Sequence, residues 1–90
     1  MSAKEEKMFG NSRSYAIVVE EIARQFSFDA SQIKPETSAA DVDGWDSLSH
    51  VTLMMRIEKR LGTRLSASQV REAVNVGELT LLLDRTLNRT

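Results

Sequence analysis

The first chemically suggestive residues lie in segment 43–50, DGWDSLSH, where a serine follows an aspartate and precedes the only histidine of the chain by three residues. Ser47 and His50 would be neighbours on one helix face, since side chains three residues apart adjoin each other. A catalytic serine–histidine pair, however, also needs a group that orients the imidazole and an oxyanion hole. The Gly-x-Ser-x-Gly pattern of a nucleophile elbow is absent, because Ser49 stands two residues after Ser47. The segment therefore does not predict a catalytic site, and we expect a protein that is not an enzyme.

Two other roles for Ser47 stay open from the local sequence. A serine in the first turn of a helix commonly caps that helix. Asp46 stands at the expected N-cap position, where its carboxylate can accept free backbone N–H groups. The remaining possibility is that Ser47 is the point at which another chemical group is attached.

The composition excludes several classes of protein. Ninety residues make one small domain with a modest core, and a deep catalytic cleft is not expected. The absence of cysteine excludes disulfides, thiolate chemistry and zinc–thiolate sites, and the single histidine excludes a multi-histidine metal site, so we expect no metal. Twelve basic and 13 acidic residues give a net charge of -1, which predicts no nucleic-acid partner. Without a signal-peptide core or a membrane span, we expect a cytoplasmic protein with no membrane insertion. We also expect a monomer.

The elements that must position Ser47 follow from apolar spacing and helix caps. Residues 1–12 are charged and small, and we interpret them as a flexible tail before a single domain at 13–90. The first helix is predicted over about 13–27, because apolar residues recur there at helical spacing. Ser12 or Ser14 could cap this helix.

A long loop and the central helix come next. Residues 28–46 have no regular apolar period, and a connection of this length in a small domain is often functional. Its predicted core anchors are Ile33, Val42 and Trp45. The second helix is predicted from residue 47 to about residue 61, where Gly62 is a natural stop.

Two capping patterns predict the remaining helices. Ser66 and Gln69 have the spacing of a capping box and open a short third helix over residues 68–73. Asn75 and Glu78 open the last helix in a similar way. The apolar face of that helix consists of Leu79, Leu82, Leu83 and Leu87. No strand pattern is convincing, so the sequence predicts an all-α bundle of three main helices and one short helix, with a long loop between the first two.

The apolar positions of the second helix span an arc of about 220°, roughly twice what a surface helix needs to face one core. Two interpretations stay open. In the first, this helix is simply the buried centre of the bundle. In the second, one set of side chains faces the core while another forms an exposed strip beside Ser47 that docks partners. The core-facing set is Leu53, Ile57 and Leu61, with His50 at its edge, and the exposed set is Leu48, Val51 and Met55.

The stretch GWDSLSHVTLMMRIEKRLGTRL, preceded by a long loop and followed by VNVGELTLLL, resembles the acyl carrier proteins and the related peptidyl and aminoacyl carrier proteins. The resemblance centres on the Asp46-Ser47-Leu48 triplet and covers nearly the whole chain after its first residues. It implies a carrier-type helical bundle with a 4′-phosphopantetheine arm on Ser47, at a site flanked by Asp46 and Leu48. A phosphopantetheinyl transferase would supply the arm from coenzyme A, and the arm would hold cargo as a thioester.

The resemblance also implies a partner-binding face and a set of partners. The residues at the matching positions are Leu48, Val51, Thr52, Met55, Arg56, Glu58 and Lys59. The implied partners are acyl- or aminoacyl-loading ligases and downstream synthases or transferases. Many fatty-acid carriers use a strongly acidic second helix to dock on basic enzyme patches. This chain instead has Thr52 at a usually acidic position and several cations beyond it. We therefore expect an acyl carrier of a specialised lipid, polyketide or peptide pathway. The alternative that this is a solvated mixed-charge face with no role in partner binding stays open.

Three alternatives remain beside an acyl carrier. One is an aminoacyl or peptidyl carrier loaded by an adenylating ligase, and another is an unmodified helical protein-interaction module. The third is a helix-turn-helix DNA binder with a basic patch of Arg56, Lys59, Arg60, Arg64 and Arg71. The nearly neutral total charge and the lack of a tight helix-turn-helix spacing count against the third.

Overall fold

The structure, a computed structural model, describes residues 12–73 and 75–88. Its four α-helices are α1 (Arg13–Phe26), α2 (Ser47–Leu61), α3 (Ala67–Glu72) and α4 (Val76–Asn88). In the described part of the chain, β structure is limited to one isolated bridge between Ser38 and Asn75. The predicted all-α bundle of three main helices and one short helix is confirmed, and α2 has the predicted bounds. The proposed tail lies outside the described residues, apart from Ser12.

Local hydrogen bonds fix the helix ends. Ser12, one of the two candidate caps, accepts a hydrogen bond from the Tyr15 N–H at 3.1 Å, whereas Ser14 is buried. The first helix ends one residue before the predicted limit because Ser27 adopts a left-handed conformation, with φ of 51°. The Glu78 N–H donates to the Asn75 side chain at 2.8 Å, as the capping pattern predicts.

The short helix α3 begins and ends one residue earlier than predicted. Ser66 and Gln69 form the expected capping box: the Gln69 N–H donates to the Ser66 hydroxyl at 3.2 Å, and the Ser66 N–H donates to the Gln69 side chain at 2.8 Å. No residue of this helix is buried. A six-residue helix with no buried side chain has little stability of its own, so it depends on a few contacts with its neighbours.

The core forms where α1 packs against α2 and α4. Leu53, Ile57 and Leu61 of α2 are buried, as predicted, and Met54 joins them. In α4, Leu79, Leu82 and Leu83 are buried, and Leu87 packs against the core as a half-buried residue. The anchor residues predicted for the loop, Ile33, Val42 and Trp45, are all buried in the same cluster.

The long loop is more regular than its sequence suggests. It contains two short 3-10 turns, at Ala30–Gln32 and Ala39–Asp41. The loop is also bound to the start of α4, since the Gly77 N–H donates to the Pro35 carbonyl at 2.7 Å. A β-carbon at residue 77 would lie 3.1 Å from the same carbonyl oxygen, so glycine permits this close approach. The loop therefore has a fixed path into α2.

One arginine connects α2 to two carboxylates of α1 with different burial. Arg60 lies 3.0 Å from Glu21, whose side chain is 4% exposed, and 2.9 Å from Glu20, whose side chain is 55% exposed. Both contacts raise the pKa of Arg60, with the hydrogen bond to Glu21 as the main cause. We expect Arg60→Met to lower Tm by roughly 5 °C, because it leaves the buried Glu21 carboxylate without its partner. Glu20→Gln is the matched control and should hardly change Tm; equal effects in thermal unfolding would contradict this interpretation.

Candidate functional site

The start of α2 is held by a reciprocal pair of hydrogen bonds around Ser47. The Asp46 carboxylate accepts the Ser49 N–H at 2.9 Å, and the Ser49 hydroxyl accepts the Asp46 N–H at 2.8 Å. Asp46 is therefore the N-cap, as its position predicted, and Ser47 is the first helical residue. Ser47 is exposed, and its hydroxyl makes no hydrogen bond to any described residue. Asp46 and Ser49 therefore cap the helix, and the Ser47 side chain takes no part in the cap.

Ser49 also fixes the turn that leads into the helix. Its hydroxyl donates to the Gly44 carbonyl at 2.7 Å. Gly44 has a φ of 89°, a conformation that favours glycine, so the chain can turn sharply before Trp45. These contacts determine where Ser47 stands without using its side chain.

The cap has a predictable pH dependence. The hydrogen bond from the Ser49 N–H, followed by the contact with the Ser49 side chain, lowers the pKa of Asp46 below its ordinary value. A carboxylate with a lowered folded-state pKa contributes stability above its unfolded pKa and loses that contribution as pH falls through the folded value. We therefore expect the first turn of α2 to fray as pH falls below the ordinary carboxyl range and through the lowered pKa of Asp46. NMR titration of the Ser49 amide would detect this change, which Asp46→Asn should abolish; an unchanged titration in that variant would contradict the assignment.

An exposed apolar strip runs along α2 from Ser47. We call Leu48, Val51 and Met55 the docking strip; their exposed fractions are 79%, 52% and 62%. The core-facing residues of the same helix are almost completely buried. One apolar set of α2 therefore faces the core and the other is exposed, which is the exposure pattern of the second interpretation.

The remaining residues of the predicted partner face divide into two kinds. Thr52, Arg56 and Lys59 are exposed. Glu58 is half-buried, and its carboxylate accepts the Leu65 N–H at 2.6 Å. The acidic member of the face therefore has a structural contact within the domain, whereas its cations project into solvent.

A groove of about 760 Å³ opens between α2 and α3, with Ser47 at its edge. Its lining is mainly apolar and includes Ala39, Trp45, Val51, Met54, Met55, Leu65, Val70 and Ala73, with Asp46, Glu58 and Arg71 among its polar residues. An apolar recess next to an exposed attachment point can shelter an apolar group from water.

His50 bridges the two walls of this groove. Its Nδ1 lies 3.0 Å from the indole nitrogen of Trp45, and its Nε2 lies 3.2 Å from the Val70 carbonyl oxygen. An indole N–H can only donate and a carbonyl can only accept, so a neutral imidazole protonated at Nε2 satisfies both contacts. Since both ring nitrogens are used, His50 has no free nitrogen to act as a base for Ser47. We call this pair of contacts the His50 bridge.

The role of His50 is the feature of the site that sequence reasoning missed. The helical wheel placed His50 at the core edge, and the residue is indeed half-buried. The sequence predicts Trp45 as a loop anchor, and in the structure its ring stacks on Phe26 with ring centroids 5.8 Å apart. One signal in the sequence could have suggested a bridge. A buried indole N–H requires an acceptor, and a histidine follows Trp45 by five residues.

The site fits a phosphate ester. An anion on Ser47 would lie at the N-terminus of a 15-residue helix, where the helix dipole favours negative charge. The hydroxyl is exposed and is not needed by the fold. In the described part of the chain, no cluster of three or more His, Asp or Glu residues could hold a metal ion. None of the helices described there is long and apolar enough to cross a bilayer.

Comparison with known proteins agrees with this geometry. The family described as a phosphopantetheine attachment site matches residues 16–83. Acyl carrier proteins of Helicobacter pylori strains G27 and 26695 are 35% and 33% identical over 63 residues, covering 70% of this chain and 81% of each relative. The solution NMR structure of a holo acyl carrier protein from Geobacter metallireducens superposes with a TM-score of 0.74 at 32% identity. That match covers 84% of this chain and 87% of the other.

These matches establish both the class and the family. The class is that of domains with a phosphopantetheine attachment site. Within it, the chain belongs to the acyl carrier protein family. The predicted resemblance, the predicted fold and the predicted prosthetic group, 4′-phosphopantetheine, are thereby confirmed.

Proposed function

We propose that Ser47 bears the 4′-phosphopantetheine arm and that the protein is a non-catalytic carrier of acyl intermediates. The observation that supports this most directly is the Ser47 hydroxyl itself. It is exposed, it makes no hydrogen bond to a described residue, and the Asp46–Ser49 cap holds it at a helix N-terminus. A side chain that the fold does not use, on a backbone that the fold fixes, is suited to modification by another enzyme.

In this proposal each residue at the start of α2 has a defined part. The Ser47 oxygen forms an ester bond to a phosphorus of coenzyme A as the bond to the adenosine bisphosphate half breaks, and a phosphopantetheinyl transferase receives the serine proton. Asp46 keeps the first turn of α2 in place and leaves the Ser47 side chain free. When bound, the arm supplies a terminal thiol that holds the cargo as a thioester. The protein needs no thiol of its own, which agrees with its lack of cysteine.

The groove favours acyl cargo over aminoacyl cargo. Its lining is mainly apolar, and the polar atoms of Trp45 and His50 within it are already paired by the His50 bridge. A charged amino group would have to lose water against this apolar lining, with acceptors only at the carboxylates of Asp46 and Glu58, each of which already accepts a backbone N–H. An aliphatic chain would bury apolar surface instead. We therefore infer that the cargo is an acyl group and that a ligase or transferase loads it for a downstream synthase.

The charges of α2 support a specialised pathway. Thr52 is exposed at a position that is usually acidic in fatty-acid carriers, and the exposed cations Arg56 and Lys59 follow it. Charge patterns at a docking surface mainly determine partner choice and the rate of encounter. A carrier with this surface fits dedicated enzymes of lipid, polyketide or peptide assembly.

The test is the mass of the intact protein after incubation with coenzyme A and a phosphopantetheinyl transferase of broad specificity. We expect a gain of one phosphopantetheinyl group. The tryptic peptide 25–56 contains Ser47 and four other serines, namely Ser27, Ser31, Ser38 and Ser49. Fragment ions must therefore place the added mass on Ser47. Absence of the gain, or its placement on another serine, would overturn the proposal and would favour an unmodified interaction module.

A further inference from the structure

The docking strip is bordered by positive charge, although the whole chain is slightly negative. Four exposed cations, which we call the cationic rim, lie around the strip: Arg56, Lys59, Arg64 and Arg71. Arg71 lines the groove that Met55 shares with Ser47. Lys59 and Arg64 line a second groove that also includes Met55. The strip and the rim therefore form one continuous surface on α2, α3 and the segment between them.

No ion pair joins a carboxylate of the described chain to this rim. Arg60, the remaining cation of α2, is the only one of these helix cations that forms ion pairs within residues 12–73 and 75–88, and it faces Glu20 and Glu21 on α1. Two carboxylates lie beside the rim: Glu58, which accepts the Leu65 N–H, and the exposed Glu72, next to Arg71. The four cations of the rim outnumber them. The exposed carboxylates of Asp41 and Asp43 belong to the loop that leads into α2. The surface beyond Ser47 is consequently apolar at its centre and cationic at its edge.

We propose that the partner enzymes of this protein have an apolar docking site with an acidic rim. The inference rests on the proposed function, because a carrier must present its arm to an enzyme through the surface next to Ser47. Complementary charge accelerates encounter, and like charges placed opposite each other cost several kcal/mol. An acidic rim would attract Arg56 and Lys59 while an apolar centre covers Leu48. The basic docking patch used with acidic carriers would repel the same residues.

A protein partner fits this surface better than a membrane or a nucleic acid. The apolar strip consists of three side chains on a 15-residue helix, which is a small area for insertion into a lipid interface. The net charge of -1 gives no general attraction to polyanions. Binding to anionic vesicles or to DNA is nevertheless a measurable alternative.

The test exchanges charges on both sides of the interface. The probes are a transacylase of bacterial fatty-acid synthesis that docks acidic carriers on a basic patch, and the same enzyme with that patch changed to glutamates. Binding of each probe to the unmodified wild-type chain and to Arg56→Glu/Lys59→Glu is measured by NMR titration at low and high salt. We expect the wild type to bind the acidic probe about tenfold more tightly than the basic probe, and the variant to show the opposite preference. Salt should weaken both preferred pairs.

Arg13→Glu/Lys34→Glu is the matched control, because both cations are exposed and neither lies on α2, on α3 or in the segment between them. This control changes the net charge equally and should keep the wild-type preference. A wild type that binds both probes equally, a control that reverses preference, or rim-dependent binding to phosphatidylglycerol vesicles or DNA would overturn the inference. The assay does not need the arm, so its result is independent of the loading test. Loading without a charge preference would refute only the acidic rim, and a charge preference without loading would refute only the carrier function.

Discussion

Ser47→Ala is expected to abolish loading by the transferase completely while leaving stability within about 0.5 kcal/mol of the wild type. The hydroxyl is the proposed acceptor of the arm, and no described residue uses it for a hydrogen bond. Alanine is also acceptable in the first turn of a helix whose cap is supplied by Asp46. Intact mass and urea unfolding of the same preparation measure the two effects.

Ser49→Ala is the matched control, because it removes a hydroxyl two residues away with the opposite structural role. Ser49 bonds to the Asp46 N–H and to the Gly44 carbonyl, so its loss should cost about 1.5 kcal/mol. Loading should persist in this variant, because Ser47 is retained. If Ser47→Ala were destabilising, the hydroxyl would have a structural role that the geometry does not show. If Ser49→Ala alone prevented loading, the attachment would have to be reassigned.

The contrast between the two serines shows what local sequence could predict about the site. Asp46 was identified as the cap because a short carboxylate before an apolar period serves that role in many helices. The division of the apolar residues of α2 into two sets also followed from helical geometry, since both sets are fixed by the 100° step between residues. Sequence alone left open whether Leu48 was buried, and only the packing of α1 against the other side of α2 decided it.

Features that depend on distant residues could not be predicted. Arg60 and Glu21 are 39 residues apart, and nothing in either helix indicates that they meet. The two 3-10 turns of the long loop are too short to produce a periodic pattern. His50 was placed correctly at the core edge, but its acceptor on α3 is 20 residues away. Local spacing thus predicts helices and faces, whereas the contacts that join the elements require the folded structure.

The His50 bridge is one of those contacts, and its removal is expected to release α3. His50→Ala should cost about 3 kcal/mol, because it deletes a half-buried ring and leaves the Trp45 N–H and the Val70 carbonyl without their partner. His50→Phe keeps a ring but removes both hydrogen bonds, and should cost about 2 kcal/mol. Chemical unfolding of both variants measures the difference.

The site of the effect distinguishes a bridge from ordinary packing. No residue of α3 is buried, so this helix depends on contacts such as the His50 bridge and the Glu58–Leu65 hydrogen bond. Hydrogen exchange should therefore show faster exchange in α3 of His50→Phe, with α1 and α4 much less affected. A double-mutant cycle with Trp45→Phe should give a coupling of about 1 kcal/mol, because either change breaks the same hydrogen bond. Faster hydrogen exchange to the same extent in all helices, or a coupling of zero, would contradict the bridge. Either result would mean that His50 acts through packing alone and does not hold α3 against α2.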